Sequence, residues 1–574
     1  MTGLAGPGPG DPIGRRAGYL VDRFNRGPLD PRLGWGLLGA AMVVSLVYCL
    51  YLARGSTFTG DELSWVGSSP HFDLKTALSP SSGHLVLMSH ALYHLILETI
   101  GADYLTFRLL TLGALFLAVG LLYAYGRERV GDGLALAPCL VLLFFGSDNL
   151  HILQGNGFTI LFAVACGLLA LIALERGGTR WDVVACLTLV AGIVTYTVAL
   201  AFLAGAIVAV LARPDRRRRL WIVAIPVAIY LGWRLWVLTA DIDLTRGGLD
   251  PPNLALLPSW IFQSLSGILN ALTGFNYNFA GAGWLPAGST AGPALALIFL
   301  ALVGWRLGSG RLGVAFWIAA TVAITLFTSQ VLTWIPAIRE PGTPRYLYPG
   351  AFAVILVLFE AFRAFPFSRT AFVSIWLIAL AGFCTNAVFL KDTGPGVREH
   401  SRLVALDVGV AGLVESAEPF EPGPGARSLA AVAAEPTIPP VPEAQRAYGG
   451  IGLRAADIPA QDAFLRERAD SQLIQVYGIA PVPTERPPEA RCETVRGGGV
   501  PGVTVIPALP AGGVVLESKV PAAVTVKRFG DEFSINVGTL NPNQASMLNI
   551  PADDGDMPWA VSATAPSLRA CDLE

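Results

Sequence analysis

Apolar residues fall in long blocks over the first two-thirds of the chain and in short alternations over the last part. The blocks at roughly 34–53, 104–125, 134–147, 157–175, 183–197, 198–212, 220–239, 291–306, 314–335, 348–364 and 370–390 each read as a membrane-crossing helix. About 20 apolar residues cross a bilayer, and fewer serve where a helix is buried in a bundle. The run from Val183 to Leu211 is too long for one crossing and short for two. Arg176 and Arg180 precede it, and Arg213 with Arg216, Arg217, Arg218 and Arg219 follow it. Positive loops belong in the cytoplasm, so the chain crosses twice between them. Eleven crossings then place the N-terminus inside and the C-terminal part outside. Two further apolar stretches, 84–98 and 254–272, read as helices lying along the membrane, with Trp260 and Trp284 suited to its interface.

Beyond Lys391 the periodicity changes. A helical stretch near Arg398–Glu415 is followed by Pro- and Gly-rich connectors at 419–425 and 435–443. From Cys492 onward, short alternations at Val503–Ile506, Val514–Leu516, Val524–Phe529, Phe533–Val537 and Trp559–Ala563 predict a β-sandwich or jelly roll. The fold expected is therefore an α-helical polytopic bundle carrying a β-rich C-terminal domain outside the membrane. Its expected divisions are a cytoplasmic segment at 1–33, the bundle at 34–390, a connector at 391–491 and the β domain at 492–574.

Composition agrees with this division. The 574 residues are 53% hydrophobic and 14% charged, well under the quarter or so charged in soluble domains. Residues 1–390 carry a net charge of +6 and residues 391–574 a net charge of −8. Neither part is basic enough to suggest a nucleic-acid partner. Five of the seven cysteines fall in apolar blocks, leaving Cys492 and Cys571 in the polar domain. An oxidising compartment favours their pairing, so a Cys492–Cys571 disulfide is expected.

Few charged side chains remain on the outer side of such a bundle. The first outer loop holds Asp61-Glu62, then Lys75 and the Ser81-Ser82-Gly83-His84 turn. Adjacent carboxylates just past a crossing read as a functional site, or alternatively as an interfacial pair or helix cap. A later loop holds Arg339 and Arg345, whose guanidinium forks suit phosphate oxygens, or which snorkel to the interface. Arg108 and Arg234 have snorkelling as their default. Between the third and fourth blocks, Asp148, Asn149, His151, Gln154 and Asn156 form a polar outer turn that either lines a cavity or is solvated.

Together these features resemble the GT-C superfamily of membrane glycosyltransferases, which take sugars from polyprenyl phosphates. The matching elements are Asp61-Glu62, the apolar helix after it, Phe107-Arg108-Leu109-Leu110, the Tyr123-to-Arg127 segment, and Arg345-Tyr346-Leu347-Tyr348-Pro349. The resemblance covers about 34–390. It implies an inverting transfer from a polyprenyl-phosphate sugar to a cell-envelope glycan or glycolipid, at the outer face of a bacterial cytoplasmic membrane. On that likeness Asp61 is the general base, with Glu62 orienting the acceptor or tuning Asp61. Arg345 is the first candidate for the donor phosphate, followed by Arg339, His84 and Lys75. Outside the likeness, the β-rich domain either binds the acceptor, with Trp559 as a stacking platform, or is a lid that contributes no binding; His151 is a further candidate acceptor contact. Some members use a divalent metal, but no second acidic motif supports one here, so no metal ligand or cofactor is expected. The alternatives are a flippase for a lipid-linked sugar and a non-catalytic glycan-binding envelope protein. Inverted repeats and broken helices, the usual marks of a transporter, are not evident in the sequence.

Overall fold

The computed structural model describes residues 31–240, 249–275, 291–310, 312–336, 339–417, 441–497 and 501–572. Most of the expected cytoplasmic segment, Trp284 and the 419–425 connector lie outside the described residues. The first helices are α1 (Pro31–Leu52), α2 (Asp61–Ser68), α3 (Leu74–Leu78), α4 (Leu87–Thr99), α5 (Tyr104–Val130) and α6 (Asp132–Leu143). Then come α7 (Asn149–Leu153), α8 (Gly157–Arg176), α9 (Thr179–Thr195), α10 (Ala199–Leu211), α11 (Trp221–Thr239) and α12 (Leu257–Thr273). The last are α13 (Ala291–Gly308), α14 (Val314–Leu332), α15 (Pro344–Ala361), α16 (Arg369–Ser416), α17 (Val441–Tyr448) and α18 (Ala463–Tyr477).

Among the described residues, eight helical segments are long and apolar enough to cross a membrane, which makes this a multi-pass membrane fold. Seven of them coincide with expected crossings. The eighth is Pro251–Thr273, expected along the surface. Its helix α12 instead buries one face, including Trp260, Leu265 and Ile268, against α13, α14 and α15. At Gly350 on α15 an added Cβ would lie 2.4 Å from Ile268 Cδ1, so a larger residue there would displace the Ile268 side chain. The other four expected crossings are also helical, but α6, α9, α10 and α15 have only 12, 17, 13 and 18 residues. α15 is buried along nearly its whole length, where neighbouring helices replace lipid around it.

Two compact units make up the chain. The first comprises Met1–Arg54, Asp73–Tyr93 and Leu105–Arg398, the second Gly55–Phe72, His94–Tyr104 and Glu399–Glu574. The expected boundary at 390/391 thus falls inside the uninterrupted helix α16. In the first unit Arg129, Arg306 and Arg219, the last from the cluster expected in the cytoplasm, are buried and partnered. Arg129 pairs with Glu360 and Glu175, tying the ends of α5, α15 and α8 together. Arg219 pairs with Asp182, and Arg306 Nε donates to the Ala361 carbonyl at 2.6 Å. A guanidinium in an apolar bundle needs such partners.

Among the described residues of the second unit, nine strands form two antiparallel sheets. They are β1 (Pro481–Pro483), β2 (Cys492–Arg496), β3 (Thr504–Ile506), β4 (Val514–Glu517) and β5 (Ala522–Lys527), then β6 (Ile535–Leu540), β7 (Ser546–Leu548), β8 (Ala560–Ala563) and β9 (Ser567–Asp572). One sheet has the order β1-β7-β4-β9-β2, the other β3-β8-β5-β6. Alternation does the folding here: Ala522, Val524 and Val526 of β5 point inward to meet Val514, Leu516 and Leu548 of the other sheet. The expected sandwich is present, and it begins at Pro481, before Cys492. Leu465, Ala469 and Leu473 of α18 join its core, with Leu406 and Leu413 of α16. Much of the segment expected as a connector is therefore core.

Two linkages hold this unit. Cys492 and Cys571 are directly opposite on β2 and β9 and form the expected disulfide. They close a loop with a sequence separation of 79. Replacing both by serine should destabilise the unit by about 4 kcal/mol on loop entropy. Faster amide exchange in β2, β4 and β9 of the intact chain would report it, and unchanged exchange would refute it. The second linkage centres on Asp470 of α18, whose carboxylate accepts the backbone N–H groups of Arg528, Phe529 and Gly530 at 2.9, 2.8 and 2.9 Å. Arg528 in turn holds Asp553 through two 2.7 Å hydrogen bonds, and Tyr477 donates to Asp553 at 2.8 Å.

Burial works against the charge on Asp553, but Arg528 outweighs it and holds the carboxyl below its usual range. A depressed folded-state pKa adds stability above the unfolded carboxylate value near 4, and that stability is lost as pH falls through the folded value. Asp553→Asn should therefore loosen the sandwich at pH 7, by about 3 kcal/mol or more for a broken buried pair. The gap between variant and wild type should close as pH falls through the depressed folded-state value. A gap in amide-exchange protection that does not change with pH would contradict this.

Candidate functional site

The acidic pair lies in the second unit. Gly60 sits at φ 56°, a left-handed conformation that glycine adopts without strain, and turns the chain into α2. Asp61 and Glu62 then open the helix, where its positive end favours anions. They have different surroundings. Asp61 is exposed. Glu62 is 0% exposed, and its Oε2 accepts the Tyr104 hydroxyl at 2.9 Å and the Thr59 N–H at 3.3 Å. Glu62 thus ties the start of the helix back to the chain that precedes it. Burial turns Glu62 away from the first of its two expected roles, orienting an acceptor; its carboxylate anchors the turn that carries Asp61, beside which it could still tune that neighbour. Neighbouring contacts stiffen the same segment. Tyr104 meets Phe58 edge-on at 4.9 Å, and α17 packs on α2, with His71 and Glu443 at 3.0 Å.

The cationic group lies in the first unit. Ser82 and Gly83, at φ 49° and 84°, make a two-residue turn closed by Ser81 and His84 backbone hydrogen bonds of 3.1 and 2.9 Å. The turn fixes His84. Its Nδ1 lies 2.6 Å from Thr197 Oγ1, and its ring rests 4.4 Å from that of Tyr196. Burial, reinforced by the charges of Arg339 and then Arg345, pushes the imidazole down to about 3. His84 is therefore neutral at physiological pH and acts by hydrogen bonding, not as a cation.

Arg345 stands in the first turn of α15, directly after Pro344, which is preorganised for that position. Its guanidinium lies 5.3 Å from the Tyr346 ring. Arg339 is buried, with Nη1 donating to the Thr333 carbonyl at 3.2 Å. A helix N-terminus, two guanidinium groups and a neutral imidazole converge here, an arrangement suited to an anion. Lys75 does not share this environment: it is exposed on the five-residue helix α3, beside the cap residue Asp73. Of the four side chains expected on the phosphate, the structure brings three together.

The two expected acceptor contacts fare differently. His151 is buried, with Nδ1 2.6 Å from Oδ2 of the fully buried Asp148. Trp559 is corrected. Its ring is only 3% exposed and fills the sandwich core, with the Arg528 guanidinium 5.6 Å away, so no face is open to a sugar. Arg108 does not snorkel; it is buried and donates to the Ile152 and Cys49 carbonyls at 3.0 and 3.3 Å. Sequence reasoning missed Tyr196 and Thr197. Their signal is a polar break in the Val183–Leu211 run. Among the described residues, no three His, Cys, Asp or Glu side chains are grouped to hold a metal ion.

No protein-family model and no curated protein matches this chain. Two solved structures are similar in fold. ArnT from Cupriavidus metallidurans bound to undecaprenyl phosphate is 13% identical, with a TM-score of 0.42 over 67% of this chain and 82% of that one. The same protein in the apo state is 15% identical, with a TM-score of 0.39 over 67% and 81%.

Proposed function

We propose that this chain is a membrane glycosyltransferase that moves a sugar from a polyprenyl-phosphate donor to a cell-envelope glycan or glycolipid. The observation that carries this reading is the group formed by Arg339, Arg345 and neutral His84 at the head of α15 in a membrane-spanning unit. Charge is expensive in such a bundle and marks a function by default. A phosphate at a lipid head is a ligand that meets this group at membrane depth.

In the proposed reaction an acceptor hydroxyl oxygen attacks the anomeric carbon, and the bond from that carbon to the phosphate oxygen breaks. The bonding electrons leave on the phosphate, whose growing charge Arg345 and Arg339 stabilise. The hydroxyl proton passes to Asp61. A single displacement inverts the anomeric centre. His151, oriented by Asp148, remains the proposed acceptor contact. We assign the reaction to the outer face of a bacterial cytoplasmic membrane: α6, α9, α10 and α15 join the seven long helices at expected crossings to make eleven, α12 packs beside them without crossing, and the N-terminus is cytoplasmic.

The test is to incubate purified protein with a panel of polyprenyl-phosphoryl sugars and extracted envelope glycans, following both by mass spectrometry. One donor should lose its sugar as one acceptor gains its mass. Movement of an intact lipid-linked sugar across a vesicle, with no transfer, would replace this reading with that of a flippase. Glycan binding alone would leave a scaffold.

A further inference from the structure

Within the first unit, α12 and α14 bring together a set of hydrogen-bonding side chains that neither the phosphate group nor the acid pair uses. Trp260 of α12 donates its indole N–H to Gln330 Oε1 of α14 at 3.4 Å. Because an indole is only a donor, the amide oxygen of Gln330 must face it, and the amide NH2 must point elsewhere. That nitrogen is buried and has no hydrogen-bond partner, in a side chain only 5% exposed. One turn further along, past the end of α14, the Trp334 indole N–H is also buried and unpartnered, with its ring centroid 6.5 Å from that of Trp260. Ser264, one turn beyond Trp260 on α12, adds a third such group, its hydroxyl.

Each buried donor left without an acceptor costs on the order of 1–3 kcal/mol. Several together in an apolar bundle therefore call for an occupant. Its chemistry follows from the lining. Gln330, Trp334 and Ser264 are neutral and so suit hydroxyl and ring oxygens better than phosphate charge. The half-buried Trp334 indole offers a face for the C–H surface of a pyranose or furanose, while Trp260, buried in the core, acts by orienting Gln330. The position also fits: Thr333, whose carbonyl accepts Arg339 Nη1, lies between Gln330 and Trp334. A sugar seated here lies next to the arginine proposed for its phosphate.

We infer that Gln330, Trp334, Trp260 and Ser264 form the subsite for the sugar of the lipid-linked donor. This rests on the glycosyltransferase reading above and deepens it by assigning the residues that select the sugar.

The experiment measures binding by the intact protein in nanodiscs, without turnover. The probes are undecaprenyl phosphate and the same lipid bearing mannose or arabinofuranose. Wild type should prefer at least one sugar-bearing lipid over the bare phosphate by about tenfold or more, roughly one hydrogen bond's worth. Gln330→Met keeps the volume and removes the amide, while Trp334→Phe keeps a ring and removes the N–H. Each should erase about tenfold of the preference and leave affinity for bare undecaprenyl phosphate unchanged. Equal weakening for both lipids would place the phosphate at these residues and overturn the inference. So would variants that bind like wild type. If wild type binds bare and sugar-bearing lipids equally, the subsite fails while the lipid reading stands. If it binds neither, the glycosyltransferase reading fails and the subsite with it.

Discussion

Asp61→Asn should lower the rate of sugar transfer by on the order of 10²–10⁴-fold, the range for loss of a general base, with little change in donor affinity. Asparagine keeps the shape of the side chain and its place in the first turn of α2, but has no basic oxygen at neutral pH. Asp61 is exposed, so the change is made at the surface of its unit. The neighbouring acid supplies the contrast. Glu62→Ala removes the acceptor for both the Tyr104 hydroxyl and the Thr59 N–H in a fully buried place. It should therefore loosen the turn, by about 1–3 kcal/mol for each donor stranded, and reduce activity through misplacement. Amide exchange over residues 57–68 separates the two: unchanged for Asp61→Asn, faster for Glu62→Ala. Full transfer activity in folded Asp61→Asn protein would remove Asp61 from the reaction.

That contrast shows how far the residues could be read without coordinates. Long apolar blocks and the alternation after Cys492 carry their own periodicity, so the helices and the sandwich were legible. The cysteine pair was legible because only two thiols lie outside the apolar blocks. Burial of individual polar side chains was not, because it depends on partners far away in sequence. Glu62 and Asp61 are adjacent, yet one is enclosed by Tyr104 and the other faces outward. Trp559 looked like a platform because aromatic residues on short strands stack either inward or outward, and the sequence holds no sign of Arg528 behind it. The same limit hid Gln330 and Trp334. An i, i+4 pair of amide and indole at the end of an apolar run is unremarkable until Trp260 of another helix fixes the amide. Arg129 and Arg219 neutralise buried acids, a role that counting charges along the sequence does not register.

Arg345→Ala should cost about 10²–10³-fold in kcat, the loss seen when a donor to a developing anion is removed. The charge on the departing phosphate grows towards the transition state, so kcat should fall more than KM rises. Arg345→Lys should recover part of the loss, since it restores the charge but not the planar fork. A rise in KM with unchanged kcat would assign Arg345 to ground-state binding alone. A second readout comes from His84. Burial is the main cause of its depressed pKa and the charges of Arg339 and Arg345 add to it, so wild-type His84 stays neutral throughout pH 5–8 or so. Removing Arg345 takes away one of those charges, and the imidazole pKa should rise from about 3 towards its ordinary value. Burial and Arg339 should still hold it below 6.5. Any acid-side limb that His84 gives to activity should therefore lie at higher pH in the variant than in wild type, as the imidazole gains its proton there and its hydrogen bonding changes. His84→Gln in the Arg345→Ala background should abolish that limb. If the pH profile of Arg345→Ala keeps the wild-type shape, the electrostatic link between the helix α15 arginine and the His84 turn is wrong.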